Sequence, residues 1–207
     1  TANGYSWLKS PRYDGVPMEV GPLARMLVNY VKGHEQVQGL VNHVLETLGV
    51  GPEALFSTLG RVAARGIETQ LLVDKMGDFV DELADNMGKG ELRIHDNSKW
   101  DPATWPKDSM GAGFHEAPRG SLGHWVHVKD EKIARYQCIV PSTWNAGPRD
   151  AGGTPGPYEA ALVGTPVADP EQPIEILRTV HSFDPCMACG VHVVEPGGRE
   201  VTRVKAR

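Results

Sequence analysis

Before residue 90, the chain carries two long runs of apolar residues that recur at a helical period. The first run opens at Pro22, a favourable first helical residue because its missing N–H has no intrahelical partner. Residues 49–52 (GVGP) predict the end of this helix, and a second helix is predicted from Glu53 to Met87. The pattern therefore predicts a long helical hairpin over residues 20–90.

The apolar stripe of the second run consists mostly of large side chains. They are Leu55, Leu59, Val62, Leu72, Met76, Phe79, Val80, Leu83 and Met87. A helix with such a stripe is stable in water only when the stripe is covered. Because neither predicted helix can hide its stripe alone, we expect each to pack against the other helix or against a partner.

The pattern changes after residue 90, where polar and turn-forming residues dominate. Residues 95–120 have no hydrophobic period and are predicted to form loops. The runs SLGHWVHV and IARYQCIV are rich in β-branched and aromatic residues and flank the charged turn KDEK, which predicts a β-hairpin. Short helices are predicted at residues 157–162 and 174–181. The final stretch, VHVVEPGGREVTRVKAR, predicts a second small hairpin around Pro-Gly-Gly.

These elements define a mainly α-helical chain with short antiparallel β-hairpins, an α+β class, in one domain. We expect the long helical hairpin at 20–90. A loop-rich region with the functional residues and the first β-hairpin follows at 91–192, and an extension occupies 193–207.

The bulk properties narrow the classes of function. The 207 residues are 40% hydrophobic, and the formal net charge is −5 with a pI of about 5.9. An acidic chain argues against a nucleic-acid binder, which normally presents a basic face. No apolar run approaches the ~20 residues that cross a bilayer. Three cysteines are too few, and odd in number, for a disulfide framework, which leaves metal ligation, redox chemistry or burial.

The stretch SFDPCMACGVH places Cys186, Cys189 and His192 at intervals of three residues. On a helix or a tight turn, this spacing puts all three on nearly one side. Thiolates are soft ligands for nickel, zinc, copper and iron–sulfur centres, and imidazole suits many of the same metals. The stretch therefore predicts half of a metal site. A redox Cys-x-x-Cys pair, half of a zinc knuckle and buried cysteines remain as alternatives.

A second candidate stretch is FHEAPRGSLGHWVHV, in which Arg119 stands between Pro118 and Gly120. Proline removes a backbone donor and glycine permits close approach, so Arg119 is well placed to aim its donors at an anion or a metal-bound ligand. An ordinary ion pair is the favoured interpretation, since structural pairs also bury arginines. The candidate partners for that pair are Asp14, Glu116 and Asp184.

The stretch QCIVPSTWN follows a predicted strand and carries two hydroxyl groups. Ser142 and Thr143 come directly after Pro141, where a hydroxyl either donates to a ligand or caps the strand end, and capping is the default expectation. Cys138, inside the strand, is expected in the core. Histidines on the first predicted helix and on the strand are expected to be surface or core residues without a functional role. They are His34, His43, His124 and His127.

Together these stretches resemble the large subunit of nickel–iron hydrogenases. DPCMACGVH resembles the family's nickel-binding motif, Asp-Pro-Cys-x-x-Cys-x-x-His. EAPRG resembles its arginine segment, and VPSTWN its serine/threonine segment near the iron. SPRYDGVPMEVGPLAR and GTPVADPEQPIEILRTVHSFDPC also match the style of the family. The resemblance covers the chain from about Tyr5 to its end, and such motifs in this order are a specific signal.

The resemblance implies a role for each motif residue. Cys186 would be a terminal nickel thiolate. Cys189 would bridge the nickel and an iron that carries carbon monoxide and cyanide ligands. Arg119, preceded by Pro118, would lie over the open position between the metals. Its backbone N–H, together with Ser142, would hydrogen-bond the cyanides.

The resemblance also implies the supporting groups and the reaction. Asp184 would help to hold Arg119, and His192 with the backbone carbonyl of Cys138 would bind a magnesium ion. The reaction would be the reversible heterolytic splitting of H2 into a hydride and a proton, with the Cys186 thiolate or Arg119 as the base. The metals carry the chemistry, and the protein supplies geometry and electrostatics.

The chain departs from the family pattern in two ways. The family has a second cysteine pair near its N-terminus, Arg-x-Cys-Gly-x-Cys, which supplies further nickel thiolates, and this sequence contains no such pair. We therefore expect the C-terminal part of a longer subunit. In the family, a dedicated endopeptidase cuts after the motif histidine once nickel is inserted. Residues 193–207 still follow His192, so the sequence resembles the unprocessed precursor.

The resemblance implies partners as well. A small subunit with iron–sulfur clusters would take up the electrons. The motif style resembles membrane-bound uptake enzymes, which predicts a peripheral position on the periplasmic side of the cytoplasmic membrane, with contact only through partners; the cytoplasm is the alternative. The competing hypotheses are a non-catalytic relative, such as the quinone-site subunit of respiratory complex I, and a structural zinc or redox protein that uses Cys186 and Cys189.

Overall fold

The computed structural model describes residues 5–6, 8–186, 190–194, 197–198 and 200–205. The helices are α1 Pro22–Val31, α2 Glu35–Leu48, α3 Thr58–Gly88, α4 Pro141–Asn145, α5 Pro157–Leu162 and α6 Ile174–His181, with 3-10 turns at Pro52–Leu55 and Pro102–Thr104. The strands are β1 Asp108–Ala117, β2 Gly120–Lys129, β3 Lys132–Ile139, β4 Gly190–Val194 and β5 Glu200–Lys205. Two small antiparallel sheets, ordered β1-β2-β3 and β4-β5, accompany the helices and confirm the predicted α+β class.

The first arm of the predicted helical hairpin is two helices rather than one. α1 ends at Val31, and Gly33 adopts a backbone φ of 82°, a left-handed conformation that glycine reaches without strain. The side chain of His34 then caps α2 by accepting a hydrogen bond from the backbone N–H of Val37 at 3.4 Å. The placement of His34 within a continuous first helix is therefore wrong. The apolar period continues across this turn although the helical backbone does not.

The core lies where α1, α2 and the first half of α3 pack together. Its buried apolar residues are Leu23, Met26, Val37, Val41, Leu45, Leu55, Ala64 and Ile67. The start of α3 packs closely against the 3-10 turn before it, where a Cβ atom on Gly60 would lie 2.2 Å from the Leu55 carbonyl oxygen. Only glycine fits at that position. This helical core is the platform that supports the site.

The large apolar residues of the predicted stripe on α3 lie on a different side of the helix from its core contacts. The exposed members of the predicted stripe are Leu59, Val62, Leu72, Met76, Phe79, Val80, Leu83 and Met87. Among the described residues, their exposure runs from 51% at Val62 to 78% at Leu59. Of the two coverings expected for this stripe, the neighbouring helix does not supply one for these residues, because α3 contributes Ala64 and Ile67 to the core instead. Packing against a partner stays a prediction.

The predicted hairpin is present as β2 and β3, and a further strand precedes it. β1 pairs with β2 along its whole length, from Asp108 opposite Lys129 to Ala117 opposite Gly120. The loop predicted for residues 95–120 is therefore wrong over β1. Glycines and polar residues give β1 no period of its own, and pairing with β2 creates the strand.

The remaining short elements agree with the predictions. α5 and α6 coincide with the helices expected at 157–162 and 174–181. β4 and β5 form the expected terminal hairpin, in which His192 lies opposite Arg203. None of the described helices combines the length and the apolar character that a membrane span requires.

Candidate metal centre

Three segments that are far apart in sequence meet at one place: the turn between β1 and β2, the start of α4, and the residues after α6. The turn carries Arg119, α4 carries Ser142, and the segment after α6 carries Asp184 and Cys186. The contacts between them join residues that are 65 and 44 positions apart. α3 positions the segment after α6, and the chain that enters α1 positions α4.

Arg119 is held by Asp184 through one of its guanidinium nitrogens. Its Nε donates to the Asp184 backbone oxygen at 3.0 Å and lies 3.2 Å from the carboxylate oxygen Oδ2. Among the described residues no other group bonds to this guanidinium, so its terminal nitrogens are available as donors. The two side chains are 41% and 44% exposed, so the ion pair adds little stability and mainly orients Arg119.

Asp184 reaches Arg119 because the chain turns sharply after α6. It adopts a φ of 52°, a left-handed conformation that aspartate tolerates better than most residues. Its N–H donates to the His181 carbonyl oxygen at 2.8 Å. Pro185 follows, and proline disfavours helical backbone in the residue before it. The turn after α6 thus brings the backbone oxygen and one carboxylate oxygen of Asp184 to the Arg119 Nε.

A hydrogen bond joins Ser142 to Cys186. The Cys186 backbone N–H donates to Ser142 Oγ at 2.9 Å, and Ser142 is only 5% exposed. The default expectation of strand capping is wrong, because Ser142 lies within α4 and its hydroxyl bonds a distant residue. This bond does not use the hydroxyl proton, which remains available for donation. The Cys186 residue itself is exposed.

α3 holds the segment that follows α6. Phe183 is 4% exposed, and the guanidinium carbon of Arg61 lies 4.1 Å from the centre of its ring, a cation–π contact. Arg61 is itself paired with Glu19 at 2.7 Å, and Arg65 donates to the Ser182 carbonyl oxygen at 3.1 Å. The segment therefore rests on charged groups that the helical core fixes.

Asn145 fixes α4 against the chain that enters α1. Its amide oxygen accepts from the Val20 N–H and its amide nitrogen donates to the Val20 carbonyl oxygen, both at 2.9 Å. Asn145 is 1% exposed, and a buried polar group left without its partner costs ~1–3 kcal/mol. Asn145 lies inside the stretch QCIVPSTWN, but sequence reasoning missed its role because Val20 is 125 residues away.

Tyr158 on α5 packs against Phe183, with ring centres 4.8 Å apart. Burial raises the pKa of its phenol, and the negative charge of Asp184 raises it further, so Tyr158 stays neutral. Its hydroxyl is buried without a hydrogen-bond partner in the part of the chain that the structure describes. No sequence motif pointed to Tyr158 or to Arg61, because both act through packing across the fold.

The remaining predicted site residues lie elsewhere. Cys138 is half-buried in β3, opposite His124. Cys189 lies outside the described residues. His192 lies in the extended strand β4 rather than on a helix, and a common side for the three motif residues stays a prediction. Within the described ranges, no group of three histidine, cysteine or acidic side chains could hold a metal, which leaves Cys186 as the ligand candidate there.

Comparison with known proteins identifies the family of this chain. Residues 1–192 match the family model described as "Nickel-dependent hydrogenase". The chain is 50% identical to the uptake hydrogenase large subunit of Bradyrhizobium diazoefficiens over 203 residues, which covers 98% of this chain and 34% of that protein. It is also 50% identical to the hydrogenase-1 large chain of Escherichia coli, with the same shares covered.

A solved structure shows the same likeness. The chain matches the Ni-Fe-Se hydrogenase of Desulfovibrio vulgaris Hildenborough with a TM-score of 0.69 and 38% identity, over 90% of this chain and 38% of that chain. The chain thus spans 34% of the length of the two curated relatives. Because the family model covers residues 1–192, the protein belongs to the nickel-dependent hydrogenases.

Proposed function

We propose that this chain is the C-terminal, nickel-binding part of the large subunit of an uptake hydrogenase, in its unprocessed precursor form. The proposed reaction is the reversible heterolytic cleavage of H2 to protons and electrons, and the electrons pass to a small subunit that carries iron–sulfur clusters. One observation carries the proposal: Arg119 bonds to Asp184 close to Cys186, whose N–H bonds to Ser142. All four residues fall within the family match.

The described donor set fits one part of a nickel–iron centre. Cys186 is exposed and its backbone is anchored, and a thiolate is a soft ligand suited to nickel. We assign Cys186 to nickel and Cys189 to both nickel and iron. A complete nickel–iron centre would need further thiolates beside these two. When bound, the centre supplies the Lewis-acid and redox chemistry that H2 cleavage requires.

Three residues are assigned to the iron of the centre, which in this proposal carries carbon monoxide and cyanide ligands. They are Ser142, Arg119 and Pro118. The Ser142 hydroxyl accepts from Cys186 and keeps its own proton as a donor. The backbone N–H of Arg119 is the second donor. The ring of Pro118 fixes the φ angle of the residue directly before this donor. Donors of this kind stabilise an anionic ligand such as cyanide.

We assign two groups to the handling of the proton that H2 cleavage releases, Cys186 and Arg119. A guanidinium group is protonated at every ordinary pH, so Arg119 acts as a positive donor rather than as a base. The Cys186 thiolate is therefore the group that accepts the proton. Asp184 keeps the Arg119 guanidinium oriented, because it engages Nε and leaves the terminal nitrogens for the site.

His192 and the backbone carbonyl of Cys138 are assigned to a magnesium ion that is bound once a dedicated endopeptidase has cut after His192. The family match ends at residue 192, which supports this cleavage point. The same bond lies inside β4, opposite β5. A carbonyl oxygen is the type of ligand that magnesium prefers.

The proposed location is the periplasmic side of the cytoplasmic membrane, in peripheral contact through partner subunits. Uptake hydrogenase large subunits among the relatives support this assignment. The cytoplasm remains the alternative location.

The proposed function is tested on the full-length subunit, coexpressed with its small subunit and with maturation proteins. We expect nickel and iron in the purified complex, measured by elemental mass spectrometry, and H2 oxidation with a viologen dye as the electron acceptor. A complex that contains zinc instead of nickel, and that does not oxidise H2, would overturn the proposal in favour of a structural zinc protein.

Deleting residues 193–207 should block nickel insertion. The extension is proposed to keep the site open during loading, because His192 closes over the metal only after cleavage. Nickel content of the purified subunit is the measurement. Gly197→Ala, an exposed change in the hairpin turn with no neighbouring atom within 4 Å, is the control that should load normally. Normal nickel loading in the deletion variant contradicts the hypothesis.

A further inference from the structure

Arg25 lies on α1 in the stretch MEVGPLAR, to which the proposed function gives no role. All three nitrogens of its guanidinium are used. Nε and Nη2 donate to the two carboxylate oxygens of Glu68 on α3, the latter at 2.7 Å. Nη1 donates to Glu116 and to the Ala117 carbonyl oxygen, both at 2.9 Å. Nη2 also donates to the Pro118 carbonyl oxygen at 2.9 Å. Arg25 therefore connects the helical core to the turn that carries Arg119.

The turn between β1 and β2 needs an external restraint. Ala117 is paired with Gly120, so Pro118 and Arg119 form a two-residue hairpin loop. The favoured two-residue loops need a positive φ at their first position, which proline cannot adopt. Other turns splay the strands, because their twist does not match that of the sheet. Pro118 occupies this first position. Arg25 binds the carbonyl oxygen of the residue before it, Ala117, and that of Pro118 itself.

The contact is charged and mostly shielded from water. The side chains of Arg25 and Glu68 are 17% and 15% exposed. Burial alone would lower the pKa of Arg25, but hydrogen bonds to Glu68 and Glu116 hold it above its ordinary value. Arg25 thus stays protonated, and its bonds to the turn are charge-assisted, which makes them stronger than neutral ones.

Close backbone packing supports the same arrangement. A Cβ atom on Gly120 would lie 2.7 Å from the backbone nitrogen of Gly21, and one on Gly21 would lie 2.9 Å from the Arg119 carbonyl oxygen. Arg119 in the turn and Gly120 after it are therefore packed closely against the start of α1. Only the side chain of Arg119 extends from this fixed backbone to Asp184.

We propose that Arg25 is a positioning residue of the site: it fixes the Ala117 and Pro118 carbonyl groups and so determines where the Arg119 guanidinium reaches. The role of Arg25 in fixing the turn follows from its hydrogen bonds to the two carbonyl groups and from the close backbone packing at Gly21 and Gly120. Its consequence for H2 oxidation rests on the proposed function of Arg119.

The test uses Arg25→Gln and Arg25→Lys in the full-length subunit, in complex with its small subunit. Hydrogen–deuterium exchange of peptides covering residues 115–122 reports the mobility of the turn. Arg25→Gln should speed exchange there by about tenfold, since it removes charge-assisted bonds to both carbonyl groups. The turnover rate should fall while nickel content is unchanged.

The Arg25→Lys variant keeps the positive charge of residue 25 but loses the fork geometry of the guanidinium group. A lysine ammonium keeps the ion pair with Glu68 but cannot span the carboxylate and both carbonyl groups, so it should preserve the fold and still loosen the turn. Lys107→Gln, which removes the cation of an exposed ion pair with Glu131 at the other end of β1, is the control and should leave exchange at the turn unchanged.

Wild-type exchange at the turn in both Arg25 variants would overturn the inference, as would full recovery by lysine. These outcomes are distinct from failure of the proposed function, in which the wild-type complex lacks nickel and does not oxidise H2. In that case the exchange comparison still decides whether Arg25 positions the turn.

Discussion

Replacing Cys186 by serine should remove nickel from the full-length subunit and lower H2 oxidation by about three orders of magnitude or more, as for loss of a group at the reacting centre. The serine hydroxyl is not ionised at neutral pH, and it is a harder ligand than a thiolate. The change should leave the fold intact, because the hydrogen bond to Ser142 uses the backbone N–H of residue 186 rather than its side chain. Nickel content and H2 oxidation are the measurements.

Val163→Ser is a suitable control for the Cys186 variant. Val163 is 78% exposed, so this variant also places a hydroxyl group on the surface, at a residue with no assigned role in the site. We expect wild-type nickel content from the control and an unchanged melting temperature from both variants. A Cys186→Ser subunit that keeps its nickel and oxidises H2 would show that residue 186 is not a nickel ligand.

Replacing Arg119 by lysine should lower the turnover rate by about a hundredfold or more, the effect of removing one preorganised donor from a reacting centre. Arg119 uses Nε for Asp184 and keeps its terminal nitrogens for the site, whereas a single ammonium group cannot serve both. Nickel content should stay at the wild-type level, because Arg119 is not a metal ligand. The turnover rate and the Michaelis constant for H2 are the measurements.

Arg135→Lys, an exposed arginine on β3, provides the matched control and should have no effect. If Arg119→Lys keeps most of the wild-type rate, positive charge alone explains the role of Arg119, and the geometry of its fork is not needed. A loss of nickel together with activity would instead indicate that Arg119 acts in metal insertion.

The sequence predicts some contacts of the site residues and misses others. Asp184 was among the partners expected for Arg119, and the structure contains that pair. Spacing alone could not choose it from Asp14 and Glu116, because the choice depends on how the segment after α6 folds back. Ser142 was expected to cap a strand, since the sequence does not show that Cys186 lies within hydrogen-bond distance of it.

The helices and the hairpin of β2 and β3 were predicted because their periods are local properties. β1 was missed because it contains glycines and exists through pairing with β2. The break before α2 was missed because the apolar period crosses it. The residues that support the site, Arg25, Arg61 and Asn145, escaped prediction for a common reason: each acts through partners far away in sequence.

The clamp between Asn145 and Val20 has a consequence for the order of events during biosynthesis. A chain emerges from the ribosome N-terminal end first, and α1, α2 and α3 contact one another over short sequence separations, so they can pack early. The clamp must wait for residue 145, and the bond between Ser142 and Cys186 must wait for residue 186. The helical core can therefore form before the segment that carries Cys186 is translated, and the contact between Ser142 and Cys186 is among the last of these to form.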